Sequence, residues 1–359
     1  MGLSLHSKHP VKSFAFWMSI LLKAFIGVFF LVIPTGGQLV YLVKLLFSNG
    51  TEISEIAGIL NLVLTEMLTS YKLLNLRLSR NAFDEVIEEF SQPNFQHYLK
   101  PQQNILEKAI QKSRKLYVFF LCHVVIAPGL NRFRSLPLKM DLIFFDVNDP
   151  RYFNYICVYQ ILYKPWIVIP YIVIISLPWS LMSFGISQLD VLIHNFENMK
   201  ELVKATMVER QCNENEAFRI IFKRQVLHHT DVVRFIKKLQ IAFSAQFSVS
   251  LFMSICINGT TTMQFFSIDS PKDNIAEVMW VSAYLIVFIL MLYVDTYFGN
   301  TVTEKAANLS TAVYACPWFN LDIKMKRNLM IFIGKTQRPL VITAAKTIPV
   351  SLATFTKVC

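Results

Sequence analysis

The sequence predicts an all-α membrane protein, a polytopic helical bundle whose helices cross the bilayer repeatedly. Hydrophobic residues make up 54% of the 359-residue chain and charged residues only 16%, whereas soluble domains carry about 25% charged residues. The mean hydropathy is +0.43. The stretches 165–189 and 239–268 contain no charged residue and exceed the roughly 20 residues that a spanning helix needs. This composition excludes a soluble enzyme, a disordered chain and a disulfide-rich scaffold.

Weaker apolar stretches complete the bundle. Residues 278–294 are uncharged, whereas 54–76 contains Glu55, Glu66 and Lys72. The stretch 116–131 is short, so its helix must extend into the polar residues before it. A cleaved signal peptide is the competing interpretation of the first span, but its apolar stretch is long and no clear cleavage site follows. The sequence thus predicts one domain, 1–359, with seven spans at 13–34, 54–76, 116–131, 165–189, 239–268, 278–294 and 339–359.

Positive charge divides the segments between the spans into two sets. The segments 1–13, 77–115, 190–238 and 299–338 hold 24 Lys and Arg, and the segments 35–53, 132–164 and 269–277 hold 7. Because cytoplasmic loops collect Lys and Arg, we expect the N-terminus in the cytosol and residues 131–164 outside. Seven spans then place the C-terminus outside, opposite to a G-protein-coupled receptor. The same bias explains the net charge of +11, so we expect no nucleic-acid partner.

Sequons and cysteines offer further tests of this arrangement. Asn49 begins a sequon at a predicted outer end and is the expected glycosylation site; Asn258 is also predicted outside, and Asn308 inside. Cys122 and Cys157 are both predicted near the outer surface. A disulfide between them is open, but free thiols are favoured, since Cys is common in apolar interiors.

No motif for catalysis, metal binding or cofactor binding is present. The sequence lacks a Walker loop, GxGxxG, HExxH and CxxC, so we expect no enzyme activity, no metal and no cofactor. Adjacent His228 and His229 point to different helix faces, and we expect both to be solvated. Asp295 is either part of a proton relay or, as is more usual, a solvated helix end.

Aromatic side chains recur near the predicted outer half of the membrane. One stripe enters the fourth span and a second enters the sixth, both at helical spacing. They are either an interfacial belt with core packing or the wall of a pocket for a small apolar ligand, for which His123 would add a polar group. The stripes are Tyr155, Tyr159, Tyr163 and Trp166, and Trp280, Tyr284 and Phe288.

The C-terminal region, 299–357, resembles the signature of the insect odorant receptor family. Upstream features agree: Lys72 follows Tyr71 in the second span, and Leu136-Pro137 and Asp149-Pro150 lie in the outer loop. The resembling features, in order, are Gly299, Ser310, Tyr314, Trp318, Lys326-Arg327, Gln337-Arg338-Pro339, Ser351-Leu352 and Phe355.

The resemblance implies an odorant-gated cation channel in the plasma membrane of a sensory-neuron dendrite. It implies that this subunit assembles with the odorant receptor co-receptor into a heterotetramer and binds a small volatile odorant between the second, third, fourth and sixth spans. Both aromatic stripes fall there, which favours the pocket. Residues 190–238 and 299–338 would form a cytoplasmic subunit anchor, containing Tyr314, Trp318 and Arg338.

Two departures from the family pattern generate further expectations. Ala345 lies near a position where the family often has Gly, with little expected effect. Nine residues remain from Ser351, too few to cross the bilayer. The last span is therefore expected to be truncated, and the channel that contains this chain is expected to conduct poorly. The alternatives are a gustatory-type chemoreceptor and a non-conducting isoform. A transporter is disfavoured, since the halves show no internal symmetry.

Overall fold

Helices dominate the computed structural model, which describes residues 29, 32–48, 52–95, 99–126, 150–268, 270, 272 and 274–358. This confirms the predicted all-α fold class. The helices are α1 (Ile33–Phe47), α2 (Ile53–Leu78), α3 (Arg80–Glu89), α4 (Lys100–Ile126), α5 (Pro150–Glu197), α6 (Met199–Arg210), α7 (Glu214–Phe266), α8 (Ile275–Ala315), α9 (Ile323–Thr336) and α10 (Leu352–Val358), with a 3₁₀ turn at Pro93–Phe95.

Four described helices are long and apolar enough to cross a membrane. They are α2, the Val168–Glu197 part of α5, α7 and α8, and each overlaps one of the predicted spans. Most of the predicted first span lies outside the described residues, as do Asn49 and the loop with Leu136-Pro137. The count of seven spans stays a prediction.

The longest helices continue well beyond their apolar segments. Helix α5 has 48 residues, α7 has 53 and α8 has 41. At 1.5 Å per residue, α7 is about 80 Å long, more than twice the thickness of a bilayer core. The polar stretches 190–197, 214–238 and 299–315 are therefore helical and continuous with the apolar segments; their role as a cytoplasmic subunit anchor stays a prediction.

The chain divides into two compact units. The first unit contains Met1–Ser70, Val124–Tyr171 and Thr260–Val281, and the second contains Tyr71–His123, Ile172–Gly259 and Ser282–Cys359. In the first unit, α1 packs on α2 through a cluster of Leu42, Ile59 and Val63. The second unit has an aromatic core, whose fully buried members include Trp179, Phe196, Phe218, Phe235, Phe243 and Phe298.

The predicted last span does not begin as a helix. Residues 343–349 form an antiparallel pair of two-residue strands, β1 (Thr343–Ala344) and β2 (Ile348–Pro349). The turn between them places Ala345 at φ 50° and Lys346 at φ 62°, a left-handed conformation that ends a helix. Only α10, with seven residues, is helical beyond the turn. We call residues 343–350 the C-terminal hairpin.

Two residues of long helices hold this hairpin in the second unit. The Gln240 amide nitrogen on α7 donates to the Thr343 carbonyl and to its hydroxyl, both at 2.7 Å, and the Gln240 side-chain oxygen accepts from the Thr343 N–H at 2.8 Å. Gly299 on α8 lies against the backbone of Val350. Beyond the hairpin, the ring of Phe355 packs edge-on against Tyr293, with centroids 5.6 Å apart.

Candidate ligand site

Tyr159 is the best-placed member of the first predicted stripe. Its half-buried side chain on α5 lies in the first unit, where its hydroxyl donates to the backbone carbonyl of Phe29 at 2.6 Å. The two rings pack edge to face, with centroids 5.0 Å apart. An aromatic pair with a polar group at one end is what a pocket for a small apolar molecule offers: a surface for van der Waals contact and a hydrogen-bonding group that fixes orientation.

A buried carboxylate completes the polar part of this region. The Glu66 side chain on α2 accepts from the Thr35 hydroxyl at 2.8 Å and from the Gln38 amide at 2.9 Å, and it interacts electrostatically with Tyr159. Thr35 and Gln38 face α2 because they lie one helical turn apart on α1. One turn further, Tyr41 donates to Glu55 at 3.0 Å. We call Phe29, Thr35, Gln38, Glu66 and Tyr159 the Tyr159 cluster.

A second set of polar contacts joins α2 to α7 within the first unit. The Asn61 amide nitrogen donates to Gln264 at 3.3 Å, and the Thr260 hydroxyl donates to the Asn61 side-chain oxygen. Gly58 makes room for Gln264, because a Cβ at Gly58 would lie 2.9 Å from the amide nitrogen of Gln264. Thr260 belongs to the sequon Asn258-Gly259-Thr260, and all three of its residues lie within helix α7.

The other members of the first stripe differ in environment. Tyr155 is 77% exposed, one turn before Tyr159, so the stripe does not present one uniform wall. The backbones of Tyr163 and Trp166 lie in α5 and that of His123 lies in α4, but their side chains are outside the described residues.

The second stripe is divided between the two units. Trp280 belongs to the first unit, where it is partly buried, and Tyr284 and Phe288 belong to the second. The rings of Tyr284 and Phe288 lie 4.7 Å apart at 41°, and Phe288 is buried. This pair therefore includes the core packing that the belt interpretation expects, whereas the role of both stripes in ligand binding stays a prediction.

Asp295 is not a solvated helix end. Helix α8 continues for twenty residues beyond it, and its carboxylate accepts a 2.5 Å hydrogen bond from the indole nitrogen of Trp179 on α5. Lys72 on α2 is buried and interacts electrostatically with Asp295. The expectation of a solvated helix end is wrong because the uncharged stretch ends before Asp295 but the helix does not, so Asp295 lies inside a helix that packs on its neighbours.

His228 and His229 are both buried, so the expectation that they are solvated is wrong. One His228 ring nitrogen lies 2.8 Å from the Gln188 side-chain oxygen, and the ring of His229 packs edge-on against Phe332 of α9. Adjacent residues on a helix do point to different faces, but α7 has packing partners on both of these faces.

The cysteines are free thiols in the described part of the chain. Cys122 and Cys157 are not in a disulfide, as the sequence favoured. Cys316, directly after α8, is buried, and this burial raises the pKa of its thiol to about 11. Among the described residues, no three His, Cys, Asp or Glu side chains converge as a metal site would require.

The predicted anchor residues lie at the surface of the second unit. Tyr314 is exposed, and its carbonyl accepts from the Trp318 indole at 3.0 Å. Trp318 stacks on Phe319 with centroids 4.4 Å apart. Arg338 is exposed just beyond α9. The surface thus presents aromatic side chains outside the apolar segments, and the described residues leave Tyr314 and Phe319 mostly exposed.

Several residues of the region were missed as site residues at the sequence level. Glu66 was visible only as an interruption of an apolar span, although a carboxylate inside a span is itself a signal of function. Thr35, Gln38 and Trp179 carry no such signal, because their roles depend on which helix packs beside them.

Known proteins share both the sequence pattern and the fold. Residues 52–359 match the family model described as 7tm Odorant receptor. Odorant receptor 46a, isoform A, of Drosophila melanogaster is 23% identical over 309 residues, covering 83% of this chain and 77% of that protein. Odorant receptor 10 of Aedes albopictus is 23% identical over 203 residues, covering 55% of this chain and 51% of that protein.

Solved structures agree with this sequence relationship. The insect olfactory receptor OR5 from Machilis hrabei superimposes with a TM-score of 0.75 at 12% identity, covering all of this chain and 90% of that one. Its complex with eugenol gives a TM-score of 0.73 at 12% identity, covering 97% and 89% of the two chains. The family model spans most of the chain, and the protein is therefore a member of the 7tm odorant receptor family.

Proposed function

We propose that this protein is the odorant-binding subunit of a cation channel formed with the odorant receptor co-receptor in the plasma membrane of sensory-neuron dendrites. Family membership supports the receptor role. The Tyr159 cluster supports the ligand site, because it combines an aromatic pair with polar groups inside apolar helices. One related receptor was solved in complex with eugenol, so a small aromatic volatile is a suitable first ligand to test.

The single observation that carries the ligand site is the contact of Tyr159 with Phe29. The edge-to-face packing at 5.0 Å and the 2.6 Å hydrogen bond connect α5 to the residues that precede α1. A ligand that contacts either ring shifts the balance between conformations in which this contact is formed and broken. Ligand binding at Tyr159 is therefore a source of the differential affinity that gating requires.

An exposed apolar surface supports assembly with other subunits. Phe319 is 71% exposed, Ile323 85% and Met330 73%. Phe319 precedes α9, Ile323 begins it and Met330 lies within it. All three lie beyond the apolar segment of α8, so lipid does not cover them. Exposed apolar patches of this kind mark protein interfaces, and the co-receptor is the partner that we assign to this one.

The experiment compares three sets of cells: cells that express the chain together with the co-receptor, cells that express the chain alone, and cells that express the co-receptor alone. Whole-cell currents are recorded during application of an odorant panel that includes eugenol. We expect odorant-dependent currents only when both proteins are present, at a surface expression measured on the same cells.

The other outcomes contradict the proposal. Currents from the chain alone would indicate a gustatory-type receptor that does not need the co-receptor. Specific binding of a panel odorant, with normal surface expression alongside the co-receptor but no current, would indicate a non-conducting subunit. If the double variant Ile323→Gln, Met330→Gln still assembles with the co-receptor, the α9 surface does not belong to the interface.

A further inference from the structure

A cleft between α4 and α5 lies within the second unit, apart from the Tyr159 cluster. Its volume is about 310 Å³. Seven of its lining residues carry hydrogen-bonding side chains, an unusual proportion for a cleft between two membrane helices. The lining is Leu106, Ala109, Ile110, Ser113, Arg114 and Tyr117 of α4, and Ser176, Ser180, Ser183, Phe184 and Ser187 of α5.

The α4 wall of the cleft supplies hydrogen-bond donors. Within the described part of the chain, the Arg114 guanidinium has no carboxylate partner, and the hydroxyls of Ser113 and Tyr117 make no hydrogen bond. Lys112, two residues away, differs: its ammonium donates to the Tyr297 hydroxyl at 2.8 Å and lies 4.4 Å from the centre of that ring. The cleft therefore has one cation that is not used by the fold.

The α5 wall supplies acceptors instead. Ser176, Ser180 and Ser187 donate their hydroxyl hydrogens to carbonyl oxygens one turn earlier on α5, at 3.1, 2.9 and 2.7 Å. Ser183 donates to the carbonyl of Ala109 at 3.4 Å. Each hydroxyl oxygen keeps a lone pair, and this stripe has spacings of four, three and four residues. Its exposed member Ser180 and its partly exposed member Ser176 can accept hydrogen bonds from a ligand that carries N–H groups, whereas Ser183 and Ser187 are buried.

The depth of the cleft determines which ligands reach it. All four serines lie in the uncharged stretch 165–189, whereas Arg114 lies in the polar residues that precede the apolar part of α4. The arginine therefore faces the membrane segment of α5. The Arg114 side chain is exposed and lies where the polar part of α4 meets its apolar part, so an anionic headgroup at the membrane interface can reach it. Leu106, Ile110 and Phe184 provide apolar contacts beside it.

Charge favours one source for that partner. Residues 100–115 contain five Lys or Arg and one acidic residue, Glu107, and the Lys/Arg count predicts that this end of α4 faces the cytosol. Basic pockets between helices at that side of a membrane attract phospholipid headgroups. An ammonium that carries hydrogens satisfies the serine acceptors, and a phosphate satisfies Arg114.

We infer that the α4–α5 cleft binds an aminophospholipid of the cytoplasmic leaflet. The phosphate accepts hydrogen bonds from Arg114, Ser113 and Tyr117, the primary ammonium of the headgroup donates to the serine stripe, and the acyl chains extend from the cleft into the cytoplasmic leaflet. The site is independent of the odorant site, so its test needs no channel current.

The test uses the purified full-length receptor in detergent micelles and measures energy transfer from tryptophan to a dansyl group on a lipid acyl chain. Phosphatidylethanolamine and phosphatidylcholine with identical chains are compared, because they differ only in the methylation of the ammonium. We expect phosphatidylethanolamine to bind about fivefold more tightly, since the trimethylated headgroup cannot donate to the serines. Glycerophosphoethanolamine should not displace the lipid, because it lacks acyl chains.

Four variants separate this site from general attraction between charges. Arg114→Gln should weaken both lipids about tenfold, whereas Lys115→Gln, the adjacent exposed cation outside the lining, should change them less than about twofold. Ser180→Ala should reduce the preference for phosphatidylethanolamine. Ser310→Ala, whose hydroxyl, like that of Ser180, donates to a backbone carbonyl of the preceding helical turn, should keep it.

Three results would overturn the inference. Equal binding of the two lipids by the native receptor would remove the role of the serines. Equal losses in Arg114→Gln and Lys115→Gln would show that the lipid follows net charge only. Displacement of the labelled lipid by eugenol would place a volatile ligand in the cleft instead. Size-exclusion profiles of all four variants check that each is folded.

Discussion

Gly299 on α8 contacts the backbone of Val350, directly after β2, so closely that a Cβ atom at position 299 would overlap with the Val350 carbonyl oxygen. The hydrogen on the Gly299 α-carbon is therefore what lets the C-terminal hairpin lie against α8. On its other side the hairpin is bound by Gln240 of α7. Two positions far from the hairpin in sequence thus determine where α10 begins.

Gly299→Ala is expected to destabilise the receptor. The added methyl group meets a backbone atom that cannot rotate away, so the hairpin must shift, at a cost of roughly 1–3 kcal/mol. Thermal unfolding of the purified receptor, followed by fluorescence-detected size exclusion, measures the loss. Gly334→Ala on α9 is the matched control, because a Cβ there meets nothing within 4 Å and alanine is the better helix former. A stability of Gly299→Ala equal to that of Gly334→Ala would contradict the close contact.

Ala345→Gly is expected to stabilise the receptor. Ala345 has φ 50°, where a Cβ costs roughly 1–2 kcal/mol and glycine costs nothing, while glycine loses about 0.5–1 kcal/mol in backbone entropy on folding. The net gain of roughly 0.5 kcal/mol should appear as a higher midpoint of thermal unfolding. Ala353→Gly, at an exposed position in α10, should lower the midpoint. If both variants moved the midpoint downwards, the turn would not be strained.

Gln240→Leu is expected to release the hairpin from α7. The change removes three hydrogen bonds of 2.7–2.8 Å and leaves the Thr343 N–H without a partner, which costs about 1–3 kcal/mol. Limited proteolysis after β1 should become faster, and the thermal midpoint should fall. Ser244→Ala removes only a 3.4 Å contact to the same carbonyl, so it should have a much smaller effect; equal effects would mean that Gln240 is not the principal attachment.

Tyr159→Ala is expected to shift odorant potency several-fold, because an aromatic pair contributes about 1 kcal/mol beyond its buried area. Dose–response curves for several odorants, recorded with the co-receptor, measure the shift. Tyr159→Phe keeps the ring but loses the hydrogen bond to Phe29 and should give an intermediate result. Tyr155→Ala, one turn earlier and mostly exposed, is the control at matched surface expression. Unchanged dose–response curves for Tyr159→Ala would mean that the first aromatic stripe is an interfacial belt and not part of the ligand site.

Cys316 is expected to resist alkylation. Maleimides react with the thiolate, and burial raises the pKa of this thiol to about 11, so it stays protonated at pH 7.5 and is only slightly ionised at pH 9. The half-buried Cys212 serves as the internal reference in peptide mass spectrometry after brief labelling. Equal labelling of the two in the folded receptor would contradict the burial, and denaturation should remove the difference.

The sequence predicts the long helices well and their neighbours poorly. The apolar segments of α5, α7 and α8 are recognisable because a bilayer demands long uncharged stretches. The need for long uncharged stretches gives no information about which faces of these helices pack against each other. His228 and His229 look solvated until α9 is placed beside α7, and Glu66 looks like a defect in a span until Thr35 and Gln38 of α1 face it.

The C-terminal hairpin was missed for a different reason. A tight turn with two left-handed residues is normally marked by Gly or Asn, and this chain has Ala345 and Lys346 there. The conformation is imposed by contacts with Gln240 and Gly299, and tertiary contacts of this kind leave no trace in local sequence. The family often has a Gly near Ala345, and Gly is the residue that this backbone conformation favours. The expectation that Ala345 has little effect does not include its left-handed conformation.

The Gln240–Thr343 attachment also imposes an order on biosynthesis. The two residues are separated by 103 positions, so the amide of Gln240 leaves the ribosome long before its partner exists. Until translation reaches the hairpin, the Gln240 side chain lacks the Thr343 groups that it binds in the folded chain. This contact can therefore form only after the whole of α7 and α8 has been synthesised.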